Sequence, residues 1–109
     1  MTELKTHYWE KNYPILKKVA DIARSCKTVL EIGPGEEPFE LSTEFVDFQH
    51  NEKYIGKKFH EVNVNRDVLP FEDKSFDFVY CRHTIEDLHN PMLLLSEMNR
   101  VGKAGYIET

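Results

Sequence analysis

Cysteine is nearly absent. Cys26 and Cys81 are the only two in 109 residues. They stand far apart and form no CxxC pair, which argues against a disulfide framework or a cysteine-held zinc site and fits a reducing cytoplasm. Long apolar runs are missing as well. Nothing approaches the roughly 20 residues of a membrane-crossing helix, and Met1 to Glu10 lacks the order of a signal peptide. Basic charge is in deficit. Fourteen Lys plus Arg against nineteen Asp plus Glu leave a net charge of −5, so nucleic acid is an unlikely partner for the surface as a whole. Repeats, low-complexity stretches and linkers are also lacking. What is present, 40% hydrophobic and 30% charged residues, is the balance of a folded domain and not of a disordered tail. The length suits a single domain over 1–109.

Residues 1–27 read as helical, with a break at Tyr13-Pro14, where Pro14 suits the first turn of a new helix. Beyond it Ile15, Leu16, Val19, Ile22 and Ala23 recur at helical spacing and mark an apolar face. Thr28 to Ile32 reads as a buried strand closing on Gly33-Pro34-Gly35. Further strands are expected at 44–48, 60–65, 76–81 and 103–108, and a helix over 91–101 with Gly102 as its C-cap. Strands alternating with helices point to an α/β, Rossmann-like, mostly parallel sheet with flanking helices. About ten residues separate the first two strands, fewer than a helical crossover needs, so that link reads as a turn.

The segment Val29-Leu30-Glu31-Ile32-Gly33-Pro34-Gly35 is the strongest functional signal. A strand ending in glycines lets a ligand lie against bare backbone, at the end of an open α/β sheet where ligands bind. A dinucleotide fingerprint needs a third glycine where this chain has Pro38. Glu36 and Glu37 would repel a pyrophosphate. The loop therefore favours a phosphate-poor or cationic nucleoside over a nicotinamide dinucleotide.

This segment resembles motif I of the class I S-adenosylmethionine-dependent methyltransferases. The stretch Asp67-Val68-Leu69-Pro70-Phe71-Glu72-Asp73-Lys74-Ser75-Phe76-Asp77-Phe78-Val79 is similar to the family's D-x-LPF-x-D-x-SFD-x-V block. His83 to Pro91 resembles the segment after its fourth strand, with Asp87 where the family often has histidine. The three blocks stand in the family's order and span most of 28–109. The resemblance implies an incomplete methyltransferase core lacking the last two strands: a fragment, a reduced cofactor-binding module, or a chain whose fifth-strand edge a second copy or partner protein covers.

It also implies roles. Glu31 with Gly33, Pro34 and Gly35 would hold the methionine end of S-adenosylmethionine, whose ammonium suits an acidic neighbourhood. Asp47 would accept from the ribose hydroxyls. Asp67 would accept from the adenine amino group, with Val68 beside it. Arg82 and His83 would lie next to the reactive methyl. His83, Glu86 and Asp87 are the candidate bases for a hydroxyl or amine acceptor. The same cluster as a metal site is disfavoured, since HTIEDLH is not HExxH. Tyr8, Trp9, Lys11, Tyr13, Lys17 and Lys18 would form either a substrate lid or a packing helix. The expected activity is methyl transfer to a small-molecule or sugar-like acceptor; the alternative is a non-catalytic S-adenosylmethionine-binding subunit.

Overall fold

The computed structural model describes residues 14–49, 52–54 and 56–109. The N-terminal aromatic and basic stretch before Pro14, including the expected lid residues Tyr8, Trp9, Lys11 and Tyr13, lies outside them. The elements are α1 (Pro14–Arg24), β1 (Val29–Ile32), β2 (Glu44–Asp47), β3 (Phe59–Glu61), β4 (Phe78–Arg82), α2 (Pro91–Val101) and β5 (Gly105–Glu108). Single helical turns at Glu52–Tyr54 and Ile85–Asp87 interrupt the connections.

All strand pairings are parallel, in the order β3-β2-β1-β4-β5. The chain runs outward from β1 to β3, then returns to place β4 beside β1. The carboxyl ends of β1 and β4 therefore form the switch point, where flanking loops part and leave a crevice. The link from β1 to β2 is built of turns, as the short spacing requires. Among the described residues no helix is long and apolar enough to cross a membrane.

Strand alternation sorts the core into two layers. Leu30 and Ile32 of β1 join Val46, Val79, Cys81 and the α2 residues Leu94, Met98 and Val101 on one face. Val29, Phe78 and Tyr80 join Leu16, Val19, Ala20 and Ala23 of α1 on the other. The expected apolar stripe of α1 is shifted. Leu16, Val19, Ala20 and Ala23 are buried, while Ile15 and Ile22 are about half exposed. The Lys17–Lys18 pair is exposed as well.

Some strand limits also differ from expectation. The third strand is short because the chain turns at Asn63. Its carbonyl accepts from the Arg66 and Asp67 N–H groups at 3.0 and 2.8 Å, and its side-chain oxygen accepts from the Asn65 N–H at 3.1 Å. This Asx-type bonding competes with the sheet ladder. Gly102 is not a left-handed cap. Its backbone is extended, with φ −105°. Space is the reason for glycine here, since a Cβ would fall 2.6 Å from Val79 Cγ2.

The Leu69-Pro70-Phe71 loop is fastened to α2. Buried Glu97 accepts from the Leu69 N–H at 2.7 Å and from the Arg100 guanidinium at 2.8 and 2.9 Å. Arg100 in turn donates to the carbonyls of Phe71 and Leu69 and to Asp73. The Arg100 and Leu69 hydrogen bonds hold the Glu97 carboxyl below its ordinary range against the opposing effect of burial. Asp77 ties the other end of the block by accepting from the Lys27 and Thr28 N–H groups at 2.9 and 3.2 Å.

Candidate functional site

A cavity of about 410 Å³ opens at the carboxyl ends of β1 and β2. Ile32, Val46, Val64 and Leu88 give it an apolar lining; Asp47 and Phe48 enter from the end of β2, Asn63 and Asn65 from the turn after β3, and His83, Thr84 and Asp87 from the segment after β4. Phe48 is a large apolar side chain left 73% exposed, which an aromatic ligand would cover.

The two glycines of the first loop do different work. Gly33 has φ +66°, and a Cβ there would fall 2.1 Å from Thr84 Oγ1. Its N–H donates to the Val46 carbonyl at 2.8 Å. Gly33 thus lets the loop pack directly on the β4 side of the crevice. Gly35 has φ +58°, but a Cβ on it would meet nothing within 4 Å. Its carbonyl accepts from the Tyr54 hydroxyl at 2.6 Å, and Lys53 donates to the next carbonyl, that of Glu36. The helical turn after β2 therefore fixes the loop from outside while its inner side stays bare.

A second cavity of about 240 Å³ lies across the loop, lined by Glu31, Pro34, Glu37, Phe39, Tyr80 and Arg82. Gly33 and His83 line both cavities. Glu31 is 4% exposed. Burial pushes its carboxyl up to about 8, although the Phe39 N–H and the Ser42 hydroxyl donate to it at 2.8 and 2.9 Å. A buried carboxyl above neutrality is poised to lose its proton when a cation arrives. The Phe39 and Tyr80 rings stack beside it, 4.3 Å apart and within 2° of parallel.

His83 closes β4 with φ +56°, unusual for a residue other than glycine. Its N–H donates to the Glu108 carbonyl at 2.7 Å. Its Nε2 lies 2.8 Å from Glu108 Oε2, and its Nδ1 3.3 Å from Glu86 Oε2. Arg82 Nε and the Tyr106 hydroxyl also donate to Glu108. Burial raises the Glu108 carboxyl, but the Tyr106 and Arg82 hydrogen bonds together outweigh it and hold the group below its ordinary range.

Most residues singled out in the sequence converge here. Glu31, Gly33, Pro34, Arg82 and His83 line the second cavity, and Gly35, Asp47 and Asp87 the first. Glu86 reaches the site through His83. Asp67 and Val68 are not brought in. Asp67 pairs with Arg66 at 3.1 Å, and Val68 is 64% exposed. The turn at Asn63 swings both past the cavity and presents Asn63 and Asn65 instead. Sequence reasoning also missed Phe48, Thr84 and Glu108. Phe48 alone had a signal, as the aromatic directly after Asp47.

Residues 17–107 match the family described as "Methyltransferase domain". The chain belongs to that family. Members of this family normally use S-adenosylmethionine, and the chain has the class I, Rossmann-like architecture. Over 67 residues the chain is 36% identical to a demethylmenaquinone methyltransferase of Staphylococcus haemolyticus, a match covering 55% of this chain and 28% of that relative. A SAM-dependent methyltransferase of Thermotoga maritima, a possible histamine N-methyltransferase, superposes with a TM-score of 0.59 at 22% identity over 91% of this chain and 57% of its own. A complex between the Haloferax volcanii Trm112 methyltransferase activator and a methyltransferase gives 0.50 at 12% identity, over 96% and 61%. At such identities the two structures speak for the fold. The chain spans less than a third of that curated relative's length and about three fifths of the two solved chains.

Proposed function

We propose that this chain binds S-adenosylmethionine across the two cavities and serves methyl transfer to a small-molecule acceptor. The observation that carries the reading is the pair of cavities meeting at Gly33 and His83. The larger is apolar with Asp47 at its side and suits a nucleoside; the smaller holds Glu31 and suits an amino-acid end. The donor set fits that ligand. Asp47 offers a carboxylate to a cis-diol, Phe48 an uncovered ring to a base, and Gly35 a loop face free of side chain.

When bound, S-adenosylmethionine supplies a methyl group already activated as a sulfonium. The protein's part is alignment and exclusion of water. Thr84 against Gly33 fixes the wall between the cavities, and His83 stands on it. If the acceptor is a hydroxyl or an amine, His83 is placed to take its proton at the ring nitrogen released from Glu86 or Glu108, and the carboxylates stabilise the imidazolium. Asp87, on the cavity lining, is the second candidate.

The test is calorimetric titration with S-adenosylhomocysteine, followed by transfer of labelled methyl to small-molecule extracts. Micromolar binding with turnover supports the enzyme. Binding without turnover supports a non-catalytic subunit completed by a partner or second copy, the reading favoured by β5, whose outer side pairs with no strand among the described residues. A folded chain that binds nothing rejects both.

A further inference from the structure

The described residues include three tyrosines, and two of them have hydrogen-bond acceptors. Tyr54 donates to the Gly35 carbonyl and Tyr106 to Glu108. The third, Tyr80, is 3% exposed, and its hydroxyl has no hydrogen-bond partner among the described residues. Burial above all pushes its phenol up, so the group keeps its proton and remains a donor. A buried hydroxyl without a partner is costly, and phenylalanine would fill the same place without that cost. The ring itself is fixed by the stack on Phe39 and by Tyr106, whose ring centre is 5.8 Å away. Packing accounts for the ring and leaves the oxygen unexplained.

The surroundings of that oxygen point to a ligand. Tyr80 lines the smaller cavity with Glu31 and Arg82. Glu31 stands in register with it on β1, and Arg82 two residues further along β4, so the three side chains leave the same face of the sheet. The cavity is thus sorted by charge. Acidic groups line its β1 side, Glu31 on the strand and Glu37 on the loop after it. Donors line its β4 side, the Tyr80 hydroxyl and the Arg82 guanidinium, which Glu108 holds at 2.7 Å. Both donors to Glu31 meet Oε1, so Oε2 is the oxygen left for a cation. An α-amino acid carries an ammonium and a carboxylate on one carbon, and two walls of opposite character receive them together.

We infer that the Tyr80 hydroxyl reads the carboxylate of the ligand's amino-acid end while Glu31 takes the ammonium, so that the site demands both groups and discriminates against an amine alone. The inference rests on the cofactor reading above and adds Tyr80 to it. A ligand without the carboxylate leaves the hydroxyl buried and unpaired, and a chain without the hydroxyl leaves the carboxylate one donor short.

The experiment titrates the full chain, wild type and Tyr80→Phe, by calorimetry with two compounds. One is S-adenosylhomocysteine; the other is decarboxylated S-adenosylhomocysteine, which keeps the amine and lacks the carboxylate. Melting temperatures of the ligand-free proteins are taken alongside. The wild type is expected to prefer S-adenosylhomocysteine by about tenfold or more. Tyr80→Phe should lose about tenfold for that compound and stay within about twofold of the wild type for the decarboxylated one, so that the preference shrinks. The ligand-free variant should melt no lower than the wild type, since it gives up only an unpaired oxygen. A lower melting temperature overturns the inference, because the hydroxyl then has a partner within the fold. Equal weakening for both compounds also overturns it, the hydroxyl then serving the amine or the wall. So does a preference that the substitution leaves unchanged. A folded wild type that binds neither compound overturns the cofactor reading and this inference with it; in the other cases S-adenosylhomocysteine binding by the wild type leaves the cofactor reading standing.

Discussion

The loop after β1 and the loop before β4 both fall within the match to the methyltransferase family, yet they do opposite things. The first, from Gly33 to Ser42, faces both cavities and is held from outside, by Tyr54 on Gly35 and by Thr84 against Gly33. Toward the first cavity it presents only Gly33 and Gly35. The second, from Asp67 to Asp77, turns away from the cavities and is filled with internal partners. Leu69 and Phe76 are buried, Phe71 packs edge-on to Phe76 with ring centres 4.8 Å apart, and Glu97, Arg100 and Asp77 take up the polar groups. A recurrent sequence block thus marks either contact with a ligand or anchorage of the fold. Only the hydrogen-bond partners tell the two apart.

The largest effect expected from breaking this contrast is on the anchored side. Glu97→Ala leaves the buried Leu69 N–H without its acceptor and Arg100 without its carboxylate, at a cost of about 3 kcal/mol. Urea unfolding should show that loss, while the affinity of the folded fraction for S-adenosylhomocysteine stays within twofold (on the order of 0.4 kcal/mol). A matching loss of affinity would mean that this loop touches the ligand after all.

The next effect belongs to Glu31, on the ligand side. Its carboxyl is raised from 4.5 to about 8 by burial. The unfolded chain therefore gives up this proton near pH 4.5, and the folded chain holds it until about pH 8. Between those values the unfolded state binds fewer protons, so stability falls as pH rises, and the slope vanishes above pH 8. A fall of roughly 2 kcal/mol between pH 6 and pH 8 is expected from this group. Glu31→Gln should flatten that part of the profile in thermal melts at a series of pH values. A profile that the substitution leaves unchanged would show that Glu31 is ionised in the fold at neutral pH.

Within the first loop the two glycines separate packing from access. Gly33→Ala meets Thr84 Oγ1 and a left-handed backbone together, and should cost about 2 kcal/mol of stability. Gly35→Ala carries only the backbone penalty, about 1 kcal/mol. The order reverses for binding if the ligand lies on Gly35, because its methyl group enters space the ligand needs. Melting temperatures and titrations on the same two variants give both orders. Equal effects of the two in both measurements would remove the distinction.

How far the chain was legible depends on whether a feature is local. The helix over Pro91–Val101, the strand closing on Gly33 and the turn-only link to β2 follow from periodicity and from the reach of the chain. The shift of α1 onto Ala20, away from Ile15 and Ile22, was not legible, because the sheet beneath selects which side of a helix is buried. The function of Gly102 depends on Val79, 23 positions earlier. Glu108 became part of the site only because β5 pairs with β4 and brings its carboxylate to Arg82 and His83. The hydrogen bonds that tie Asn65 to the amides of His89 and Asn90 are likewise beyond the reach of any local pattern.

The smallest difference lies between two aspartates. Asp47 ends β2 and Asp67 stands six residues beyond β3; the resemblance to the family gives both as cofactor contacts. The structure sets Asp47 on the cavity, with its carboxylate accepting the Phe48 N–H at 2.8 Å, and Asp67 on the exposed side against Arg66. Asp47→Ala should weaken S-adenosylhomocysteine binding by about tenfold, the loss of one charge-assisted hydrogen bond to a diol. Asp67→Ala removes only an exposed ion pair, which adds little to stability, and should leave affinity within twofold. If instead both substitutions weaken binding alike, the turn at Asn63 opens when the ligand arrives and brings Asp67 onto it.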